Sequence, residues 1–495
     1  MGEVINISLS QLAGHTTTHL YNDQESLIPY TANAPITHNL TTFLSRFKST
    51  SGTGSNFSPR SLVYDLRGGF GALNKYEYHE SLPSFDEIPQ ALRISENKIR
   101  KSEYQSNLDA GLIDGSKLTC ENTRYWTDYN KLIYNPKSLT TLNNFNYVSD
   151  EPVGSHFHFP NLKFATFNIG QKEFNEDDVD SFRNFLEQCD LFNGLQLTTE
   201  IDSAWGGYAN EMLIYLNDEY FNTSKINIWT YGLMNSSNSA TSKISRVKTI
   251  VELSKSSSLL FPIDVDYSSG MLSSIFKKDS LWHRSGLPAM FINSIWGVNS
   301  QLEGGESMSH VQANLLRGFE DRNIVNEIKI VSEESKNSKS MGIMDVDLTA
   351  YYTTGKLPVS KPSESVLNMG VSRDYKTYMS KNYIVGSNKK IEDIASTTTI
   401  YQNRSIDNIL NIETFPTEIL SHGKNTSYCT EFNIHEGLKD NLKASRKIIK
   451  NISLTNQPFI DIIEDKGELV EDLSRIIEEY TTGYDPDSEE SDDDY

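Results

Sequence analysis

Residues 189–220 read CDLFNGLQLTTEIDSAWGGYANEMLIYLNDEY, and the reading of this stretch decides the fold. Its start closes a helix, Gly194 to Thr199 is a short apolar run of strand type, and Asp202 to Gly207 reads as a turn. After the turn Ala209, Met212, Leu213 and Leu216 fall at i, i+3, i+4 and i+7, one face of a helix. Strand, small-residue turn and helix is the element on which nucleotide-binding α/β folds hold phosphates, with backbone N–H groups at a helix N-terminus. Such a turn needs several glycines, for close approach and positive φ. Here Asp202 and Trp205 put a charge and a bulky ring where a phosphate cradle accepts them least. A ligand turn built on Gly206 and Gly207 and a plain strand-to-helix connection both stand open, and the balance favours the plain connection.

Outward toward the N-terminus, Val4 to Leu9 sets Ile5, Ile7 and Leu9 between polar Asn6 and Ser8, a strand with one marked face. Gln11 follows, and a helix starts near Thr16. Thr50 to Ser58 is Gly/Ser-rich and reads as a flexible loop. Pro59 to Leu66 reads as a second strand, running into Arg67-Gly-Gly-Phe-Gly71. Lys163 to Phe167 is another strand. The helix after it has Asn175 as N-cap, Glu176, Asp177 and Asp178 in its first turn, and an apolar stripe at Val179, Phe182, Leu186 and Cys189. Beyond the central stretch, Ile226 to Tyr231 reads as a strand, followed by a Ser/Asn-rich loop and a helix through Val251 and Leu253. This alternation over residues 1–255 predicts an α/β fold, Rossmann-type, with a mostly parallel sheet and helices on both faces.

Past Pro262 the pattern is mixed. Apolar runs at Met290 to Trp296, Ile343 to Tyr352 and Thr397 to Tyr401 read as strands of a second α+β domain, residues 256–437, with a loop at Pro358 to Pro362. Leu438 to Ile449 and Gly467 to Tyr480 read as helices of a C-terminal segment, 438–483, and Leu469, Leu473, Ile476 and Tyr480 share a face in the second. The tail at 484–495 ends in SEESDDDY, too charged and too poor in apolar residues to fold.

Composition narrows the function. The chain has 495 residues and a net charge of −21, a field that repels phosphate backbones and argues against direct nucleic-acid binding. Its three cysteines, Cys120, Cys189 and Cys429, are far apart and form no CxxC, so they read as reduced thiols and not as a zinc site. His156 and His158 are spaced for one face of a strand, yet no third ligand stands near, and a structural pair is the weightier reading. No run of about 18 apolar residues suggests a membrane span. The start, MGEVINISLSQ, lacks the features of a secretory signal or a mitochondrial presequence. No Ser/His/Asp, Cys/His or HExxH arrangement marks a catalytic centre.

Several of these blocks, in order, resemble tubulin and FtsZ. The pattern C-D-x-x-x-G-x-Q-L-T at Cys189 to Thr198 is shared, after which the GGGTGSG run of tubulins becomes Asp202-Ser-Ala-Trp-Gly-Gly-Tyr208, with Gly206 at a matched glycine and Gly207 where tubulin has serine. Glu3, Ile7 and Gln11 agree with the first tubulin loop, EIVHIQAGQCGNQIG; Ser10 and Ala13 replace its glycines and Gly14 stands at its asparagine. Asp65, Leu66 and Gly69 agree with PRAILVDLEPG, and Arg67 takes the place of an acidic residue associated with metal and phosphate. Asn168 to Glu173 is similar to the TIGKE segment. The asparagine-rich loop near the nucleotide and the NxDxxE-type activating loop of tubulins are missing.

This degraded form, together with Trp126-Thr-Asp-Tyr129, resembles the Misato-like family, tubulin-related proteins implicated in mitochondrial distribution and inheritance of mitochondrial DNA. The resemblance implies a tubulin/FtsZ-like fold, with residues 1–115 a Misato segment and 116–255 the remainder of the nucleotide-type domain. It makes Gln11, Gly14, Gly69, Gly206 and Gly207 the candidate contacts of degenerate nucleotide loops, although Gln11 reads equally well as a polar residue at a helix start. Residues 77–155, largely without a tubulin counterpart, are a candidate partner surface. The function so implied is non-enzymatic, without a catalytic residue, metal or required cofactor, at the cytosolic face of mitochondria and in the cytoplasm, with mitochondrial or cytoskeletal protein partners such as tubulin or a chaperonin and with peripheral membrane association. The rival expectations are a divergent GTP-binding protein or GTPase and a tubulin-assembly factor.

Overall fold

A computed structural model describes residues 2–31, 35–48, 55–73, 99–115, 118–148, 153–222, 225–234, 239–266, 276–332, 346–349, 377–386, 398–419, 427–452, 459, 462–463 and 465–482. The expected loop at Pro358 to Pro362 and the acidic tail at 484–495 lie outside the described residues, as does most of the run from Ile343 to Tyr352.

The larger sheet has seven strands: β1 (Glu3–Leu9), β4 (Ser61–Arg67), β5 (Leu139–Asn146), β6 (Ser155–His156), β7 (Phe192–Glu200), β8 (Asn227–Met234) and β9 (Leu259–Asp264). A hairpin of β2 (Leu44–Lys48) and β3 (Ser55–Pro59) stands apart from it. The order is β6-β5-β4-β1-β7-β8-β9, and every pair is parallel except β5 with β6. The mostly parallel sheet expected for residues 1–255 is therefore present. Central β1 is buried at all seven positions, Asn6 and Ser8 included. The single marked face read from its alternation is corrected: a parallel strand with layers on both sides has no solvent face.

Helices α1 (Gln11–Ser26), α2 (Glu103–Asp109), α3 (Phe167–Glu173), α4 (Asp180–Leu186), α5 (Ala204–Tyr220) and α6 (Ala240–Ser256) belong to this half. Asn175 caps the short turn before α4, its side chain accepting from Asp177 N–H. Three local expectations are corrected. Thr50 to Ser58 is not loop throughout, because Ser55–Pro59 pairs with Leu44–Lys48. Lys163 to Phe167 is not a strand: Lys163 makes an isolated bridge to Ser155, and Phe167 opens α3. Asp202 to Gly207 is not a turn throughout, since α5 begins at Ala204 with Ser203 as N-cap.

Helices α7 (Leu281–Arg284), α8 (Gly286–Ser300) and α9 (Met308–Leu316) lead to the second sheet. It contains β10 (Glu327–Ser332), β11 (Val346–Asp347), β12 (Tyr378–Val385), β13 (Thr398–Gln402) and β14 (Tyr428–His435) in the order β11-β10-β14-β12-β13. The expected strand at Thr397 to Tyr401 is β13. The expected strand at Met290 to Trp296 lies inside α8, whose every residue is buried. A helix enclosed on all sides is apolar all round, so its sequence loses the period that separates helix from strand. Burial gives α8 its task of joining the sheets. Trp296 Nε1 donates to Gln196 Oε1 of β7 at 2.6 Å, Ser294 and Thr430 of β14 share a hydrogen bond of 2.8 Å, and the Tyr428 hydroxyl donates to Met290 O at 3.2 Å.

Helices α10 (Leu438–Asn451) and α11 (Lys466–Glu479) pack on each other. The shared face expected in α11 is the buried one, Leu469, Leu473 and Ile476, with Tyr480 just after it. Among the described residues no helix is long and apolar enough to cross a membrane.

Candidate functional site

In a doubly wound sheet the ligand crevice opens at the C-terminal ends of strands where the strand order reverses. Here the chain leaves β1 for β4 on one side and later places β7 on the other. The place where that rule would put a ligand is framed by Ser10 and Gln11 after β1, Asp65 to Gly69 at the end of β4, and Glu200 to Ser203 after β7.

Ser10 caps α1, its Oγ accepting from Ala13 N–H at 3.1 Å. Its backbone has φ 109° and ψ 164°, a region that belongs almost wholly to glycine and costs a side-chain-bearing residue about 1–3 kcal/mol. Ser10 thus holds a conformation that glycine adopts without this cost.

Gln11 Nε2 donates to Asp65 Oδ2 at 2.6 Å and to the carbonyl oxygen of Gly69, while its Oε1 is buried without a partner. Burial pushes the Asp65 carboxyl well above the usual carboxylate range, against the stabilising N–H of Leu66. A Cβ on Gly69 would stand 2.4 Å from that carboxyl group, so the missing side chain is the room Asp65 occupies. Gln11 and Gly69 thus come together around Asp65.

Gly14 sits lower on α1, where a Cβ would meet the Trp126 indole at 2.6 Å. Trp126 and Tyr129 are fully buried, and Tyr129 Oη lies 2.9 Å from His15 Nδ1. Within the segment expected to form a partner surface, the Trp126 to Tyr129 block is corrected to core. Much of the remainder, residues 74–98, lies outside the described residues.

Gly206 and Gly207 lie in the first turn of α5 and serve contacts between helices. A Cβ on Gly206 would come 2.3 Å from Thr249 Oγ1 of α6, and one on Gly207 would come 1.9 Å from Phe167 O of α3. A Cβ on Gly170 of α3 would likewise reach 1.6 Å from Ala204 O. Helices α3 and α5 meet backbone to backbone, which only glycine permits. Trp205 is buried, with its ring centroid 5.1 Å from Phe164 and 5.8 Å from Tyr208.

Asp202 lies 3.3 Å from Arg246 Nη2, with both side chains buried. Burial raises its pKa to about 7 against the pull of Arg246. Arg67, at the end of β4, lies over the Phe157 ring at 4.8 Å. His156 and His158 do not share a ligand site: His156 Nδ1 accepts from the N–H groups of His158 and Phe159, and no group of metal-ligating residues occurs among the described residues. Sequence reading missed Arg246, for which a basic residue on a buried face of α6 was the available signal.

Residues 2–110 match the Misato Segment II tubulin-like domain family and residues 115–302 the Tubulin domain family. The chain is 39% identical over 574 aligned positions to Protein DML1 of Candida albicans, covering 99% of this chain and 100% of the relative. It is 41% identical to Protein DML1 of Scheffersomyces stipitis, over 100% of both chains. With Protein DML1 of Debaryomyces hansenii the identity is also 41%, over 99% of this chain and 100% of the relative.

The chain belongs to the Misato family. Membership of this tubulin-like family accounts for the mostly parallel sheet. In this Misato-family member Gly206 and Gly207 take part in helix packing, and Asp202 beside them pairs with Arg246.

Proposed function

We propose that this Misato-family chain is a non-enzymatic tubulin-like protein acting in mitochondrial distribution and morphology and in the partitioning of mitochondria and mitochondrial DNA. The non-enzymatic part is carried by one observation. Gly206 and Gly207, the residues matched to a phosphate loop, have their Cα faces closed by Thr249 and Phe167. Phosphoryl transfer is positioning plus electrostatic stabilisation, and it needs backbone donors at the phosphates and a metal ion held by anionic oxygens. Asp65 is pushed toward its neutral form and bound to Gln11, and Arg67 stands where the resemblance places an acid that would assist a metal. These residues do not fit a magnesium triphosphate, and the proposal assigns no cofactor.

The mitochondrial part rests on the resemblance to Misato-like proteins. It gives a site of action at the cytosolic face of the organelle and in the cytoplasm, peripheral to the membrane, with protein partners on mitochondria or the cytoskeleton, tubulin or a chaperonin among them. The net charge of −21 makes a role in DNA inheritance indirect. Two measurements test the proposal. Purified protein with GTP and magnesium should show no turnover, and magnesium-dependent hydrolysis would overturn the non-enzymatic part. Fractionation with protease protection should find the intact N-terminus on the outside of mitochondria. Mature protein in the matrix lacking residues before Ile7 would refute that placement, and co-purification with a chaperonin without mitochondrial enrichment would favour a tubulin-assembly role.

A further inference from the structure

The chain turns outward at the edge of the larger sheet. After β6, its end strand, the consecutive residues from Phe157 to Lys163 are all exposed. Three of them are large and apolar: Phe159 is 66% exposed, Phe157 49% and Leu162 41%. Exposed apolar side chains gathered at one place mark a docking site for a protein or a membrane.

Hydrogen bonds fix the shape of this tip. Leu162 N–H donates to Phe159 O at 2.8 Å and closes a β-turn with Pro160 at its second position, where proline presets φ. His156 N–H donates to Leu162 O at 2.9 Å, and His156 Nδ1 accepts from the N–H groups of His158 and Phe159, both at 3.1 Å. Below the turn, Phe157 N–H donates to Asn144 O of β5 at 2.7 Å, and buried Phe164 packs on Phe145 with ring centroids 4.9 Å apart. A tip already held in shape loses little conformational entropy when it docks.

Its charge points to one class of partner. Between Glu151 and Glu173 the sequence has no acidic residue, although the chain carries 66 acids and a net charge of −21. The guanidinium of Arg67 lies over the Phe157 ring at 4.8 Å, and Lys163, which donates to Ser155 Oγ, follows Leu162. At physiological ionic strength charges act over about 8 Å. The cations at the tip therefore govern its approach to a charged surface, and acids beyond that distance are screened. Apolar side chains standing on an exposed turn suit a fluid interface, which needs no complementary pocket, and adjoining cations suit anionic headgroups.

We propose that the tip at Phe157 to Lys163 is a membrane-docking element: Phe157, Phe159 and Leu162 enter the interfacial layer of a bilayer, and Arg67 and Lys163 meet its anionic headgroups. This rests on the reading of the chain as peripheral to the mitochondrial membrane and deepens it by naming the surface that makes the contact.

The test uses the full chain and flotation with vesicles of phosphatidylcholine containing about one fifth phosphatidylserine, a share that gives an anionic surface. Wild type should float with these vesicles, and at least about threefold less with phosphatidylcholine alone. Phe159→Ser combined with Leu162→Ser should lower the bound fraction at least about fivefold with thermal unfolding unchanged, since both side chains are exposed. Phe159→Trp keeps an interfacial ring and should bind at least as well as wild type, which separates insertion from a structural role. Lys163→Glu should lose the preference for phosphatidylserine. No binding by wild type, or binding that the double variant keeps, would overturn the proposal. So would tip-dependent attachment to untreated mitochondria that disappears on protease-treated ones and is absent from vesicles, because the partner would then be a protein. Vesicle binding through the tip by a chain that fractionation finds away from mitochondria would support the docking element and remove the mitochondrial placement instead, so the two failures are told apart.

Discussion

Arg246 Nη2 stands 3.3 Å from a carboxylate oxygen of Asp202, and the two side chains are 5% and 3% exposed. This pair joins the connection after β7 to α6 in the interior. Removing one partner of a buried ion pair costs about 3–5 kcal/mol, because the other charge is left behind. Arg246→Met is therefore expected to lower stability by about 3 kcal/mol at pH 8 in urea denaturation. The loss should shrink at pH 6, where Asp202, with its pKa raised to about 7, escapes the penalty by taking a proton. Equal losses at both pH values would contradict this account.

Asp23 gives a second pH effect. It is buried on α1, Asn408 Nδ2 donates to its carboxylate at 2.8 Å, and burial raises its pKa to about 7 from 3.8. A folded state that holds the proton more tightly than the unfolded chain is most stable below the unfolded pKa. That stability is lost as pH rises from about 4 through 7, at no more than about 1.4 kcal/mol per pH unit per group. Asp202 acts in the same window and direction. Asp23→Asn is expected to flatten the fall in stability between pH 5 and pH 7.5, measured by denaturant midpoints.

The helix-packing role of Gly207 predicts a fold defect. With Phe167 O only 1.9 Å from a new Cβ, Gly207→Ala should push α3 and α5 apart and cost at least about 1–3 kcal/mol. Gly206→Ala meets the Thr249 side chain at 2.3 Å and should cost less, since a side chain yields more readily than backbone. Thermal unfolding of the two variants checks the order.

Ser10→Gly should stabilise. The substitution releases a backbone strain of about 1–3 kcal/mol, while glycine in place of a serine cap loses only a few tenths. A rise of about 1 kcal/mol in unfolding free energy is expected. Ser10→Ala keeps the strain and loses the cap, and should fall below wild type in the same assay.

Trp126→Ala should be among the costliest single changes. The indole is fully buried, lies over Gly14 and meets Phe70 edge-on at 6.0 Å, so its removal leaves a cavity and costs about 3–5 kcal/mol. If the Trp126 to Tyr129 block were a partner surface, the variant would retain wild-type stability.

The sequence by itself determined most of the alternation of strands and helices through residue 255, the strand read at Lys163 to Phe167 excepted, the N-cap at Asn175, and the helices at 438–451 and 466–479. These follow from local period, capping chemistry and amphipathic faces, which the chain carries whatever it packs against. It also carried the ordered blocks by which the tubulin-like family could be recognised. Tertiary structure decided the identity of α8, because a run apolar on every side reads the same as a buried strand until its neighbours are known. It decided that Gly206 and Gly207 let helices approach closely, since only the approach of Phe167 and Thr249 distinguishes a packing glycine from a phosphate-binding one. It decided as well which partners the buried acids meet: Asp202 with Arg246 and Asp65 with Gln11 are far apart in the chain. Their protonation depends on a burial that no local window of sequence contains.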